Sequence, residues 1–293
     1  MPSEFHEDKK TTRAGIPKII WMFWMQSASN APNFVKANFV SWRRHNPDWE
    51  VVVLDINSLT NYIDVSLIIE ENKKYLSPAA LSDIIRINLL SDYGGVWADS
   101  TVLCLRPLNE WIDSAVGESK FFCFSNGSRD RGIASWFIAA SRGNGLATKW
   151  RDLTSSYWKN NVFRNQNTSE DVQRTLNAHL NRNRQSTAGW FSELVTQGVG
   201  VYPYFWFHYL FDIAIAEDPG SAGIWAATRK ISGGPPSEYL RRNPLKLASP
   251  EEIKFVSTID LQMLKFDRRV IPERLPSGSI LEFLYIPYRD EFL

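Results

Sequence analysis

The chain has 293 residues, 44% of them hydrophobic, and a formal net charge of +1 at pH 7. That is enough apolar material for one large α/β domain or two smaller ones. The near-neutral balance gives no electrostatic ground for nucleic acid as a partner. No uninterrupted apolar run reaches the roughly 20 residues a spanning helix needs; the nearest, 199–216, is broken by Pro203, His208 and Asp212. The two cysteines, Cys104 and Cys123, lie in apolar runs. They read as buried thiols of a reducing compartment and are too few for a zinc cluster.

Residues 1–15 are polar, lack a secretory pattern and read as a flexible tail. Ile16 to Trp24 is almost continuously apolar, the signature of a strand buried on both faces in a parallel sheet. Ligands of such sheets gather at the carboxyl ends of the strands, which is where Trp24 falls. Asn33 to His45 has helical periodicity and stops at Asn46-Pro47. Trp49 to Leu54 is the second strand, followed by Asp55, which either caps the next segment or approaches a nucleotide. Asn57 to Lys74 reads as an amphipathic helix.

The stretch from Ser77 to Pro107 organises the rest. Ser77 is a good N-cap and Pro78 suits a first helical position. Leu81, Ile84, Ile85, Leu89 and Leu90 give the helix an apolar face. Asp83 and Arg86, three apart, are neighbours on it. Gly94-Gly95 supplies the sharp reversal at its end. Val96-Trp97 then opens a strand that delivers Asp99-Ser100-Thr101 to its tip. A carboxylate there, beside a helix carrying an acid and a base, suits a hard cation and a phosphorylated ribose. The plain alternative is a turn aspartate with a surface ion pair.

Further on, Leu108 to Trp111 reads as a short helical cap, and Phe121–Phe124 and Ile133–Ala140 as buried strands. A polar loop, 125–132, lies between those two strands. Leu146 to Trp158 is a helix. Residues 160–184, rich in Asn and Arg, read as a solvated insertion; the alternative is a surface facing the acceptor or a membrane, with Arg164, Arg174, Arg182 and Arg184 meeting anionic headgroups. Within the aromatic run 200–211, His208 is either a satisfied core histidine or a neutral imidazole reaching a metal or pyrophosphate. Asp212, one helical turn on, can orient it. Ser232 to Pro236 reads as a turn or a mobile loop; the alternative is that its glycines and backbone amides close over phosphate. Phe255 to Ile259 and Met263 to Phe266 offer a last strand, and Ile280 to Leu293 a segment docking on the body or on a membrane.

The Ser-Asp-x-x-Arg of 82–86 followed by Gly-Gly-x-Trp-x-Asp at 94–99 resembles the donor site of the glycosyltransferases that include capsular polysaccharide synthesis proteins, yeast-type initiating mannosyltransferases and clostridial glucosylating toxins. The opening Ile-Pro-Lys-Ile-Ile and the Tyr-Phe-x-x-His stretch resemble the same group. The resemblance implies a GT-A-like, Rossmann-like α/β fold with a mixed, mainly parallel sheet flanked by helices. Residues 16–293 would form one domain, 16–110 its nucleotide-binding half and 111–293 its acceptor half. It implies Trp24 against the base, Asp83 and Arg86 on ribose and sugar, and Trp97, Gly95, Ser135 and Trp136 lining the donor site. Asp99, with Thr101 and His208, would hold Mn²⁺ or Mg²⁺. Thr101 stands where the family's Asp-x-Asp has its second acid. A basic residue near the end, among Lys254, Lys265, Arg268 and Arg269, would meet the departing pyrophosphate. The implied reaction is retaining transfer from a nucleotide sugar, UDP-linked, to a glycan hydroxyl, free or lipid-linked, at the cytoplasmic face of a membrane in peripheral contact. The alternatives are a non-catalytic nucleotide- or glycan-binding relative and a sugar-phosphate transferase.

Overall fold

The computed structural model describes residues 11–164, 170–238, 247–258, 261–267 and 275–291. β1 (Ile19–Phe23) is buried along its whole length. It is followed by α1 (Asn33–His45) and β2 (Glu50–Leu54), which pairs parallel with β1 from Ile19↔Glu50 to Phe23↔Leu54. Asn46 closes α1, its backbone N–H bonding the Trp42 carbonyl, and Arg43, Arg44 and His45 sit at the negative end of the helix dipole.

Residues 57–74 depart from the single helix expected. They form a 3-10 turn (Ser58–Asn61), a four-residue α2 (Ser66–Ile69) and a second 3-10 turn (Glu70–Asn72). The reason lies in the short acidic side chains. Asp55 Oδ1 accepts from the backbone N–H of Asn57 and Ser58, and Asp64 Oδ1 from that of Ser66. Each side chain starts a new local turn in competition with a continuous helix. Of the two readings of Asp55, these bonds supply the cap.

α3 (Pro78–Asp92) starts where Ser77 Oγ accepts the Ala80 N–H at 3.1 Å. It is buried on almost every side. Gly94 and Gly95, at φ +67° and +95°, turn the chain into β3 (Gly95–Ala98). A side chain on Gly95 would place its Cβ 2.6 Å from the Ile19 carbonyl oxygen. β3 pairs parallel with β1, Trp21 opposite Trp97. β4 (Val102–Cys104) leaves the sheet, and α4 (Ile112–Val116) leads to β5 (Phe121–Ser125) and β6 (Ile133–Ala140).

The sheet order is β2-β1-β3-β6-β5. β6 is antiparallel to both β3 and β5, so the other four strands share one direction. Both sheet faces are covered. Along β1, Ile20 and Met22 enter one core with α1, β4 and the C-terminal elements, while Ile19, Trp21 and Phe23 enter another with α3 and the later helices. This division follows from the two-residue repeat of a strand.

The later helices are α5 (Gly145–Asn160), α6 (Glu170–Leu180), α7 (Trp206–Glu217), α8 (Pro219–Ala227), α9 (Gly234–Glu238) and α10 (Pro250–Thr258). The insertion is partly helical, and residues 255–258 belong to α10 rather than to a strand. β7 (Met263–Lys265) is the last strand among the described residues; it pairs antiparallel with β4, Lys265 opposite Val102. α11 (Ile280–Tyr285) buries Ile280, Leu281, Leu284 and Tyr285 in the α1 core, and the Tyr285 hydroxyl meets Asn38 Oδ1 at 3.2 Å. This segment docks on the body. Among the described residues no helix is long and apolar enough to cross a membrane; residues 206–217 form the internal helix α7.

Gly95→Ala combines a positive φ with a clash against fixed backbone, a strain of roughly 2 kcal/mol or more. Its melting temperature should fall by several degrees, while Gly127→Ala, whose Cβ would meet nothing within 4 Å, should melt with the native chain. Thermal unfolding followed by circular dichroism checks the pair, and equal values for both variants would contradict it.

Candidate active site

β2, β1 and β3 end side by side at Leu54, Phe23 and Ala98. The chain leaves β1 toward β2 on one side and returns to β3 on the other, so the β1/β3 edge is the switch point where such sheets open a crevice. Backbone and short side chains fix its rim. Ser100 Oγ donates to the Phe23 carbonyl at 2.7 Å, Asn38 Nδ2 to the Ser100 carbonyl at 2.8 Å, and the Trp24 N–H to the Leu54 carbonyl at 2.9 Å. The Asp99 N–H donates to the Trp136 carbonyl at 2.9 Å, which ties this tip to β6.

Asp99 is the hub. Its Oδ1 accepts from Arg86 Nη2 at 3.0 Å and from Trp97 Nε1 at 2.9 Å, and its Oδ2 from Lys265 Nζ at 3.0 Å. Arg86 Nη1 donates to the Ser135 carbonyl at 2.6 Å and lies 3.2 Å from Asp83 Oδ1. The guanidinium sits over the Trp97 ring at 5.0 Å and the Phe207 ring at 5.7 Å. Its Nε is buried with no hydrogen-bond partner. Lys265 also donates to Thr101 Oγ1.

The electrostatics divide the two acids. Burial opposes ionisation of Asp99, but Lys265 and Arg86, with the bond from Trp97, outweigh it and hold the carboxyl below its usual range. Asp83 has one arginine, shared with Asp99. Burial pushes it up to about 7, with Arg86 pulling the other way and the Asp99 charge adding to the rise. His208 is pushed down to about 3 by burial, then by Arg131 and Arg86, with Asp99 opposing. Its imidazole is neutral at any physiological pH, and its Nδ1 is buried without a hydrogen-bond partner.

The structure thus gathers Asp83, Arg86, Trp97, Asp99, Thr101 and the Ser135 carbonyl at one spot. Trp24 stands at the end of β1, half-buried against the α1 core. Trp136 contributes its carbonyl, while its ring is buried in the core, stacked on Phe124 at 4.7 Å. Gly95 is corrected: it begins β3, about 13 Å from Asp99 at the rise of a strand, and serves the turn against Ile19. Asp212 is corrected too. Arg184 takes both of its oxygens, so it does not orient His208, and Arg184 is no free headgroup contact. Arg268 and Arg269 lie outside the described residues. Two participants had no role assigned from the sequence. Ser82, the serine of the Ser-Asp-x-x-Arg motif, accepts from Arg86 Nη2 at 3.3 Å. Phe207 floors the guanidinium, and its only signal was a place in an aromatic helix.

A divalent ion does not fit the groups present. Among the described residues no three or more His, Cys, Asp and Glu stand where they could hold one. Both Asp99 oxygens and the Thr101 hydroxyl are engaged by cationic or N–H donors, and a dication would have to face Arg86 and Lys265 across one carboxylate.

The chain is similar to the glycosyltransferase afumC of Aspergillus fumigatus, 31% identical over 156 residues, covering 47% of this chain and 40% of that protein. It is also similar to the O-glycosyltransferase braB of Annulohypoxylon truncatum, 29% identical over 158 residues, 48% of this chain and 38% of that one. The initiation-specific alpha-1,6-mannosyltransferase of Saccharomyces cerevisiae is 23% identical over 108 residues, 34% and 22% of the two chains. The chain spans about two fifths of the length of the first curated relatives it matches. Among solved structures, the PaToxG glycosyltransferase overlays at a TM-score of 0.36 with 15% identity, over 94% of this chain and 86% of that one. The glycosyltransferase GlyE of Streptococcus pneumoniae overlays at 0.39 with 13% identity, over 92% and 59%. The profile of the family described as capsular polysaccharide synthesis protein matches residues 2–166, more than half of the sequence. The chain belongs to the capsular polysaccharide synthesis protein family.

Proposed function

We propose that this chain is a GT-A-like nucleotide-sugar glycosyltransferase that moves a sugar, from a UDP-linked donor, to a hydroxyl of a growing cell-surface glycan. The observation that carries the reading is the linked Asp83–Arg86–Asp99 set at the carboxyl ends of the parallel strands. Membership of a family whose curated relatives bear the names of glycosyltransferases and O-glycosyltransferases supports it, the latter pointing to an oxygen acceptor.

In this reading residues 16–110 form the donor half and 111–293 the acceptor half. Trp24 stacks on the base. Asp83 and Arg86 fix hydroxyls of the ribose and the transferred sugar, and Trp97 with the Ser135 carbonyl holds the guanidinium flat beneath them. Asp99 orients the cationic groups. Transfer breaks the bond between the anomeric carbon and the diphosphate oxygen, whose electron pair leaves with the diphosphate. The acceptor oxygen forms the new bond from the same face and passes its proton to the departing oxygen, so configuration is retained without a protein nucleophile. The cationic rim stabilises the charge that develops on the leaving group. A cytoplasmic setting belongs to the same reading, and the two buried free cysteines suit it.

Asp99→Asn keeps the shape and removes the charge that holds two cations. Scored by nucleotide release against a panel of UDP- and GDP-sugars, it should lose about 100-fold or more of turnover while its circular dichroism spectrum is unchanged; native-level turnover would sink the assignment. Trp24→Ala should raise the donor KM about tenfold, the worth of one stacked base, with kcat little altered, and an unchanged KM would remove Trp24 from the site.

Asp83 also gives a stability signature. Its folded pKa, about 7, lies above the ordinary value of 3.8. The native state therefore holds a proton that the unfolded chain has lost between those limits, and the Asp83 contribution fades as pH rises from about 4 through 7. Asp83→Asn has no such proton. Its stability relative to the native chain should rise over that window by on the order of 2 kcal/mol, measured by urea unfolding at pH 4.5, 6 and 7.5. A constant difference would mean Asp83 is ionised throughout.

A further inference from the structure

The strand that completes the crevice comes from far along the chain. β7 meets β4 in antiparallel register, the Phe266 N–H bonds the Thr101 carbonyl at 2.9 Å, and Met263 and Leu264 are buried. Strand alternation and this anchoring leave Lys265 little choice of position. Its ammonium bridges Asp99 Oδ2 and Thr101 Oγ1, the two positions that would otherwise ligate a cation. An ammonium has three N–H donors. Two are spent on Asp99 and Thr101, and the side chain remains about one-fifth exposed, so the third is available at the crevice.

We propose that Lys265 is the resident cation of this site: held by Asp99 and Thr101, it receives the diphosphate of the donor and makes transfer independent of a divalent metal. The inference rests on the glycosyltransferase reading and names the cation within it. The charges agree. Asp99 is one carboxylate set between two cationic side chains, Arg86 on one oxygen and Lys265 on the other. Two cationic side chains on one carboxylate suit an incoming anion and repel a dication. Thr101, neutral where a second acid would be needed for an ion, is an acceptor of the right kind for an ammonium. When the anomeric C–O bond breaks, the electron pair moves onto the diphosphate oxygen, and the third Lys265 N–H donates to the diphosphate while keeping its own proton. Lysine is a point charge on a flexible stem, able to follow the departing group over a short distance.

The test needs the intact chain first. Nucleotide release from the UDP- and GDP-sugar panel is measured in EDTA, in Mn²⁺ and in Mg²⁺. UDP and GDP binding is measured by calorimetry in EDTA, and Mn²⁺ binding by electron paramagnetic resonance with and without UDP. The expected result is turnover in EDTA within twofold of that in Mn²⁺, UDP or GDP bound without metal, and no Mn²⁺ immobilised by the chain. Lys265→Met should lose at least 30-fold in kcat and about tenfold in nucleotide affinity, with Lys265→Arg recovering part of both at native melting temperature. Turnover abolished by EDTA and restored by Mn²⁺, or a Lys265→Met variant as active as the native chain, overturns the role of Lys265 and leaves the glycosyltransferase reading standing. Absence of both turnover and nucleotide binding under every condition overturns the two together.

Discussion

A single carboxylate held between two cations is the constraint on which the site depends. Asp99 receives Arg86 on one oxygen and Lys265 on the other, and those cations arrive from α3 and β7, 166 residues separating Asp99 from the farther one. Arg86 is nearly sealed from water, so an unpaired guanidinium there would be costly by several kcal/mol. The pairing therefore does more than dress a crevice. It ties α3 and β7 to the tip of β3 through one side chain. Trp97 and Phe207 add aromatic faces to the same guanidinium, a restraint that water cannot replace.

The sheet explains why this can be held still. Each central strand is buried on both faces, and each side has its own aromatic-rich core. Trp21 shows the linkage. Its ring packs in the α3 core, and its Nε1 donates to the Gly94 carbonyl at 2.8 Å, so β1 fixes the turn from which β3 departs. β6, running against the others, then offers carbonyls 135 and 136 to the site. Antiparallel pairing brings its beginning, not its end, beside the tip of β3, and so the guanidinium finds an acceptor there.

Much of this was legible from residues alone, where one local rule decided the outcome. Ser77-Pro78 marked the start of α3, Asn46-Pro47 the end of α1, and the apolar runs at 16–24, 121–124 and 133–140 marked strands. Spacing placed Asp83 beside Arg86. Where rules competed, the sequence misled. Residues 57–74 carry helical periodicity, yet Asp55 and Asp64 divert the backbone into separate turns. Asp212 lies one turn from His208, yet Arg184, from a different segment, claims it. Gly95 belongs to a motif with Asp99, yet occupies the other end of the strand. Lys265 could not be singled out from its neighbours, because pairing between distant strands, which local pattern does not encode, is what brings it to Asp99.

The β4–β7 ribbon has a consequence for the order in which the chain is made. β1, β2, α3 and β3 lie within the first 98 residues, and β6 within the first 140. The edge of β4 lacks its pairing partner until β7, more than 150 residues later, has been made. Until β7 joins β4, Asp99 can be paired by Arg86 alone, and its second oxygen gains a cation only with that late pairing.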